Sequence, residues 1–163
     1  DWLGGRSVSE GVTDLISARP EAPLRSVPTR QTFVWPSGGL TAIVERTRGD
    51  QFRDRWHDYL RGRPRSPGQR EFENLRDLAR MGIPVPRPLG WGTMGSLSVV
   101  VMERVEHSQT LRQLIEQGEE VVDRGRLEDL AQLVARLHRA GWYHRDLYLE
   151  HVIVRPDGKS AVV

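Results

Sequence analysis

The chain has 163 residues, 37% of them hydrophobic and 28% charged, with a formal net charge of +2 and no cysteine. Those values exclude a disordered polar tail, a membrane-spanning bundle, a disulfide scaffold and a thiolate metal site. Of the 24 basic residues only Lys159 is a lysine, so lysine-dependent chemistry has one address.

The length suits one domain with its own core. The longest strongly apolar run, Val99 to Met102, is far shorter than the roughly 20 residues of a transmembrane helix. No charged-then-apolar leader opens the chain, and Asp1 in place of methionine sets the expectation that residues precede it. The expected location is cytoplasmic, with a peripheral position at the inner membrane.

In chain order, residues 1–28 are expected to be irregular, broken by Gly4-Gly5, Pro20, Pro23 and Pro28. Thr32 to Trp35 and Leu40 to Val44 form two strands around a Pro36-Ser37-Gly38-Gly39 turn. A basic stretch follows, with Arg46, Arg48, Arg53, Arg55, Arg61, Arg63 and Arg65. The spacing of Phe72, Leu75, Leu78 and Ala79 predicts a helix over 69–81, with Gly82 ending it in a left-handed conformation. Ile83-Pro84-Val85-Pro86-Arg87-Pro88 must be extended, because proline fixes its own φ and restricts its predecessor. Gly90 to Ser96 is expected to be a turn and Leu97 to Val105 a buried strand. Ser108 or Thr110 caps a short helix through Ile115. A longer helix over 124–140 carries Leu127, Leu130, Val134 and Leu137 on its inner face, with Gly141 as its stop. Val152 to Val154, a Pro156-Asp157-Gly158 turn and Ser160 to Val163 make a closing hairpin. The order predicts an α+β arrangement, a sheet-rich front followed by a helical back.

The chemistry concentrates in Trp142-Tyr143-His144-Arg145-Asp146-Leu147-Tyr148-Leu149-Glu150-His151, between the long helix and the hairpin. Protein kinases carry their catalytic loop H-R-D-L-x-x-x-N in that setting. There an aspartate accepts or orients the proton of the attacking hydroxyl, and a side chain five residues on reaches the metal side of the phosphates.

The Leu147-Tyr148-Leu149-Glu150-His151 continuation resembles the loop of the lipopolysaccharide core kinases, H-R-D-[LF]-Y-L-x-H, which phosphorylate heptose or Kdo sugars. Arg70-Glu71-Phe72-Glu73-Asn74-Leu75 through Gly82-Ile83-Pro84-Val85-Pro86 is similar to that family's R-E-x-x-x-L and G-I-P-x-P stretch. The resemblance covers residues from about 40 to the end. It implies a protein-kinase-like fold: an irregular segment 1–28, an N-lobe over 29–105, and the start of a helical C-lobe over 106–163. It also implies ATP and Mg²⁺, with Asp146 as catalytic base, Arg145 bracing the loop beside His144, and His151 on the metal side. Glu71 is implied as the helix glutamate that pairs with a phosphate-anchoring lysine. Glu103 and Val105 supply the backbone hinge for adenine.

Three features depart from the pattern. Glu45 stands where the strand lysine belongs, and a one-residue shift offers Arg46 instead. Strand neighbours face opposite sides, so only one of the two points inward. No glycine-rich loop precedes Thr32, where Pro28 hinders backbone approach to phosphates and Arg30 is available to contribute charge. The metal-binding aspartate and the acceptor-binding lobe are expected beyond Val163, so these 163 residues alone are expected to be inactive. The expected acceptor is a lipopolysaccharide precursor. A Ser/Thr or Tyr protein kinase and a pseudokinase binding module are the alternatives. The arginine cluster admits either a solvated loop or contact with an anionic membrane surface. Nucleic acid is not expected, because Phe52, Trp56 and Tyr59 are spaced for a helix face.

Overall fold

A computed structural model describes residues 7–37, 40–49, 56, 59–60, 62, 64–105, 109–118, 124–144, 147–155 and 158–162. The chain divides into two compact units, residues 1–76 with 87–104 and residues 77–86 with 105–163. Among the described residues no helix is long and apolar enough to cross a membrane.

The first unit opens on a helix, α1 (Val8–Ser17), where an irregular segment was expected. Its start is a capping box. The Glu10 N–H donates to Ser7 Oγ at 3.3 Å, and the Ser7 N–H donates to the Glu10 carboxylate at 2.9 Å. The prolines that suggested irregularity all lie beyond its end. Leu15 and Ile16 are buried.

Five antiparallel strands follow: β1 (Arg25–Val27), β2 (Arg30–Ser37), β3 (Leu40–Arg48), β4 (Pro88–Met94) and β5 (Leu97–Glu103). Their spatial order is β1-β2-β3-β5-β4. Because side chains alternate along a strand, the register Phe33↔Val44↔Val101 puts these three on one face. With Ala42 and Val99 they form the core against Leu15 and Ile16 of α1. The register Thr32↔Glu45↔Val100 belongs to the opposite face.

Gly90 to Ser96 is not the expected turn. Most of it is β4, with a bulge between Pro88 and Gly90, and only Gly95-Ser96 turns. The glycine that suggested a turn is there for packing: a Cβ on Gly92 would come within 2.7 Å of Val12 Cγ1 on α1.

Helix α2 (Pro67–Arg80) starts two residues earlier than expected, with Pro67 at the first position, where a missing N–H costs nothing. Ser66 Oγ accepts from the Gln69 N–H at 3.2 Å and caps it. The helix ends as the sequence predicts. Gly82 has φ of 72°, the Ile83 N–H donates to the Leu78 carbonyl at 3.0 Å, and the Gly82 N–H donates to that of Ala79 at 3.0 Å.

The second unit holds β6 (Gln109–Thr110), α3 (Leu111–Glu116), α4 (Arg124–Arg139), a 3₁₀ turn (Leu149–His151), β7 (Val152–Val154) and β8 (Ser160–Val162). Strands β6, β7 and β8 form one small antiparallel sheet. Leu111, Leu114, Val152 and Val154 make one cluster; Ile83, Leu133, Leu137 and Val162 make another, joined by Leu78, Val85 and Trp142. The inner face of α4 is therefore centred on Leu133 and Leu137, and Leu127, expected inward, is exposed. Asp129 on α4 accepts from the Ser160 N–H at 2.9 Å, and the Val162 N–H donates to the Pro84 carbonyl at 3.1 Å. These two bonds tie α4 and the proline segment to β8.

Candidate active site

Within the second unit, the chain leaves α4 through Gly141 at φ of 80°, and the Trp142 N–H returns to the Leu137 carbonyl at 3.1 Å. With Trp142 packed in the Leu133 cluster, the residues that follow start from a fixed point. Arg145 and Asp146 lie outside the described residues. Their flanks are described and converge. The His144 and His151 rings are 5.5 Å apart between centroids, and Tyr148 lies 6.0 Å from His151. The 3₁₀ turn accounts for the closeness of Tyr148 to His151, since the His151 N–H donates to the Tyr148 carbonyl at 2.9 Å. Tyr148 is exposed.

Glu150 pairs with Arg112 on α3, which also pairs with Glu116 at 2.8 Å. A hydrogen bond from its own backbone N–H, with help from Arg112, holds the Glu150 carboxyl below the usual carboxylate range. Arg112 thus anchors the turn that carries His151. Sequence reasoning passed over it, because nothing in one sequence announces a contact with |i−j| of 38.

Within the first unit, Glu45 and Arg46 take opposite faces of β3. Arg46 donates to the Ile16 and Ala18 carbonyls, the latter at 2.8 Å, and to Gln31 Oε1. Its guanidinium lies 5.6 Å from the centre of the Phe33 ring. It therefore closes the end of α1, and the idea that Arg46 stands in for the strand lysine does not match its placement. Glu45 is on the other face, ion-paired with Arg30 of β2.

Glu71 of α2 senses both residues. Burial and the Glu45 charge push its carboxyl above the usual range, and Arg30 opposes them. Its position is fixed upstream, where the Gly68 N–H donates to Ser98 Oγ of β5 at 2.8 Å and Ser98 Oγ bonds Ser66 Oγ at 3.2 Å. A Cβ on Gly68 would come within 2.7 Å of the Val99 carbonyl carbon. The helix start is therefore seated directly on the β5 backbone.

Of the expected hinge residues, Glu103 ends β5. Its N–H donates to the Arg87 carbonyl at 2.9 Å and its carboxylate pairs with Arg87 Nε at 2.7 Å. Val105 belongs to the second unit and is half-buried.

No cluster of three or more His, Asp or Glu side chains able to hold a metal occurs among the described residues. The donor at His151 is an imidazole, whereas Mg²⁺ takes oxygen ligands in near-octahedral geometry. His151 therefore does not fit as a direct Mg²⁺ ligand. Its ring suits hydrogen bonding to a phosphate or to metal-bound water.

An antiparallel sheet with one glutamate-bearing helix, then a helix, a His-Arg-Asp segment and a hairpin, defines the protein-kinase-like class. The profile of the lipopolysaccharide kinase (Kdo/WaaP) family matches residues 20–163, and the chain belongs to that family. Similar proteins include the 3-deoxy-D-manno-octulosonic acid kinases of Xanthomonas campestris pv. campestris (strain B100), 34% identical over 131 residues, and Stenotrophomonas maltophilia (strain R551-3), 33% identical over 135. Each alignment covers 77% of this chain and 47% of the relative, so the chain spans about half the length of the curated relatives it matches. Among solved structures, WaaP in complex with acyl carrier protein matches with TM-score 0.68 at 22% identity, over 98% of this chain and 65% of that one. Monomeric WbdD matches with TM-score 0.58 at 19% identity, over 83% and 31%. At those identities the likeness is one of fold.

Proposed function

We propose that this chain forms part of an ATP- and Mg²⁺-dependent kinase that phosphorylates a sugar hydroxyl of the lipopolysaccharide core. The observation that carries the reading is the His144–Tyr148–His151 grouping between α4 and β7, in a segment that the family profile covers. Relatives described as 3-deoxy-D-manno-octulosonic acid kinases favour Kdo over heptose as the acceptor. Asp146 is the base that accepts or orients the hydroxyl proton, Arg145 braces the loop, and His144 and His151 frame it. A metal bound with the nucleotide would supply charge neutralisation at the phosphates. Glu103 and Val105 offer backbone groups to adenine, and the precursor is met at an anionic membrane surface.

The test is Asp146→Ala in the full-length protein, assayed on Kdo-terminated and heptose-terminated core and on a peptide panel. A positioned general base contributes roughly 10²- to 10⁴-fold, and a loss of that order with phosphate found on Kdo supports the reading. Undiminished turnover removes Asp146 from the role, and phosphate found only on peptide makes the protein a protein kinase. Glu45 at the lysine position favours a second reading, a pseudokinase binding module. It predicts no thermal stabilisation by millimolar Mg-ATP, because a ligand that binds the native state raises stability.

A further inference from the structure

Among its described residues, the first unit shows neither of the devices by which a kinase sheet holds phosphates. Strand β1 has three residues and meets β2 through a two-residue turn, Pro28-Thr29, with Val27 paired to Arg30. A turn so short, with a proline in it, offers no run of backbone N–H groups to a phosphate. The β3 lysine position is Glu45, and Arg46 is spent on the α1 carbonyls.

What the fold brings together instead is Arg30, Glu45 and Glu71, all within the first unit. Arg30 and Thr32 lie on one face of β2, and Glu45 opposite Thr32 is the diagonal neighbour of Arg30, which explains their ion pair. The Arg30 side chain is 43% exposed and that of Glu45 only 16%, so the cation has an open edge and its carboxylate partner does not. Arg30 and Glu45 share this face, the charges of both act on the Glu71 carboxyl of α2, and in a conventional kinase the cation beside the helix glutamate is the phosphate anchor.

We infer that Arg30 has taken over the phosphate-anchoring role, with Glu45 as the residue that holds its guanidinium in place on the Glu71 side of the sheet. Arginine is suited to the exchange. Its planar fork carries five N–H donors, so one edge stays on Glu45 while another meets a phosphate oxygen, which a single ammonium does less well. Glu45 is then a positioning residue and not a repulsive defect. This inference rests on the nucleotide-binding reading given above.

The experiment is equilibrium titration of the full-length protein with Mg-ATP and with AMP, for the wild type and for Arg30→Ala, Arg30→Gln and the exchanged pair Arg30→Glu/Glu45→Lys. Arg30→Gln keeps a hydrogen-bonding side chain facing Glu45 and serves where Arg30→Ala fails to fold. Loss of one charge-assisted contact is expected to weaken Mg-ATP binding about 10- to 100-fold. AMP binding is expected to change by less than about threefold, since AMP lacks the β and γ phosphates. The exchanged pair returns the cation to β3 and is expected to recover most of the Mg-ATP affinity. Folded Arg30→Ala or Arg30→Gln protein that binds Mg-ATP as the wild type does overturns the role of Arg30 and leaves the kinase reading intact. A wild type that binds no nucleotide overturns both.

Discussion

Gly68→Ala tests how the glutamate helix is seated. The new methyl would meet the Val99 carbonyl carbon at 2.7 Å, against about 3.5–4.0 Å for relaxed carbon contacts. The obstruction is backbone, so no rotamer change relieves it. The start of α2 must move outward by about 1 Å, and the buried bond from the Gly68 N–H to Ser98 Oγ at 2.8 Å goes with it. Overpacking of this kind costs about 1–3 kcal/mol, and an orphaned buried N–H about 1–3 kcal/mol more. Alanine's better helix propensity returns up to about 1 kcal/mol. The expected net loss is about 1–6 kcal/mol, which lowers a urea midpoint by roughly 0.5 M or more at ordinary m-values. Tryptophan emission reports it, since Trp35 and Trp91 lie in this unit's sheet. Ser98→Ala removes the acceptor without adding bulk, and its cost is expected to be smaller, about 1–2 kcal/mol. A Gly68→Ala protein as stable as the wild type would refute the seating of α2 on β5.

Other outcomes follow from single contacts. Burial and Glu45 raise the Glu71 carboxyl above its ordinary value of 4.5, so its ionised form destabilises the fold at neutral pH, an effect that fades as pH falls through the raised value. Glu71→Gln is therefore expected to be more stable than the wild type at pH 8 and no more stable near pH 4, as thermal melts at the two pH values will report. Ser7→Ala removes the α1 cap and is expected to cost about 1 kcal/mol, with faster amide exchange confined to residues 8–17. Leu133→Ala empties a 1%-exposed core position of the second unit, and a loss of about 2–5 kcal/mol is expected in chemical denaturation.

Where one residue type dictates the backbone, the fold was legible in the sequence. Gly82 and Gly141 end their helices where expected, Gly82 in the predicted left-handed conformation, and the strands around residues 32–35, 40–44 and 97–103 stand where their β-branched residues put them. Elements held by weaker local signals were missed. Helix α1 rests on one capping box and two buried side chains, and β4 is rich in glycine because Val12 needs the room at Gly92. In the candidate site, Glu45, Glu71 and the His144–His151 segment were legible as motif positions. The partnership of Arg30 with Glu45 was not, because it depends on the β2–β3 register and on a two-residue turn that composition does not specify.

Thr110 belongs to two elements at once. It pairs with Ile153 of β7 as the last residue of β6, and its hydroxyl accepts the Gln113 N–H at 3.2 Å as the cap of α3. Strand ends and helix begins on one residue, so the chain has no slack between 110 and 111. One residue inserted there must break either the strand pairing or the cap, and with the cap goes the register that brings Arg112 to Glu150. Changes of chain length in this stretch are therefore filtered by the same turn that carries His151, and natural insertions are expected on either side of that junction and never within it.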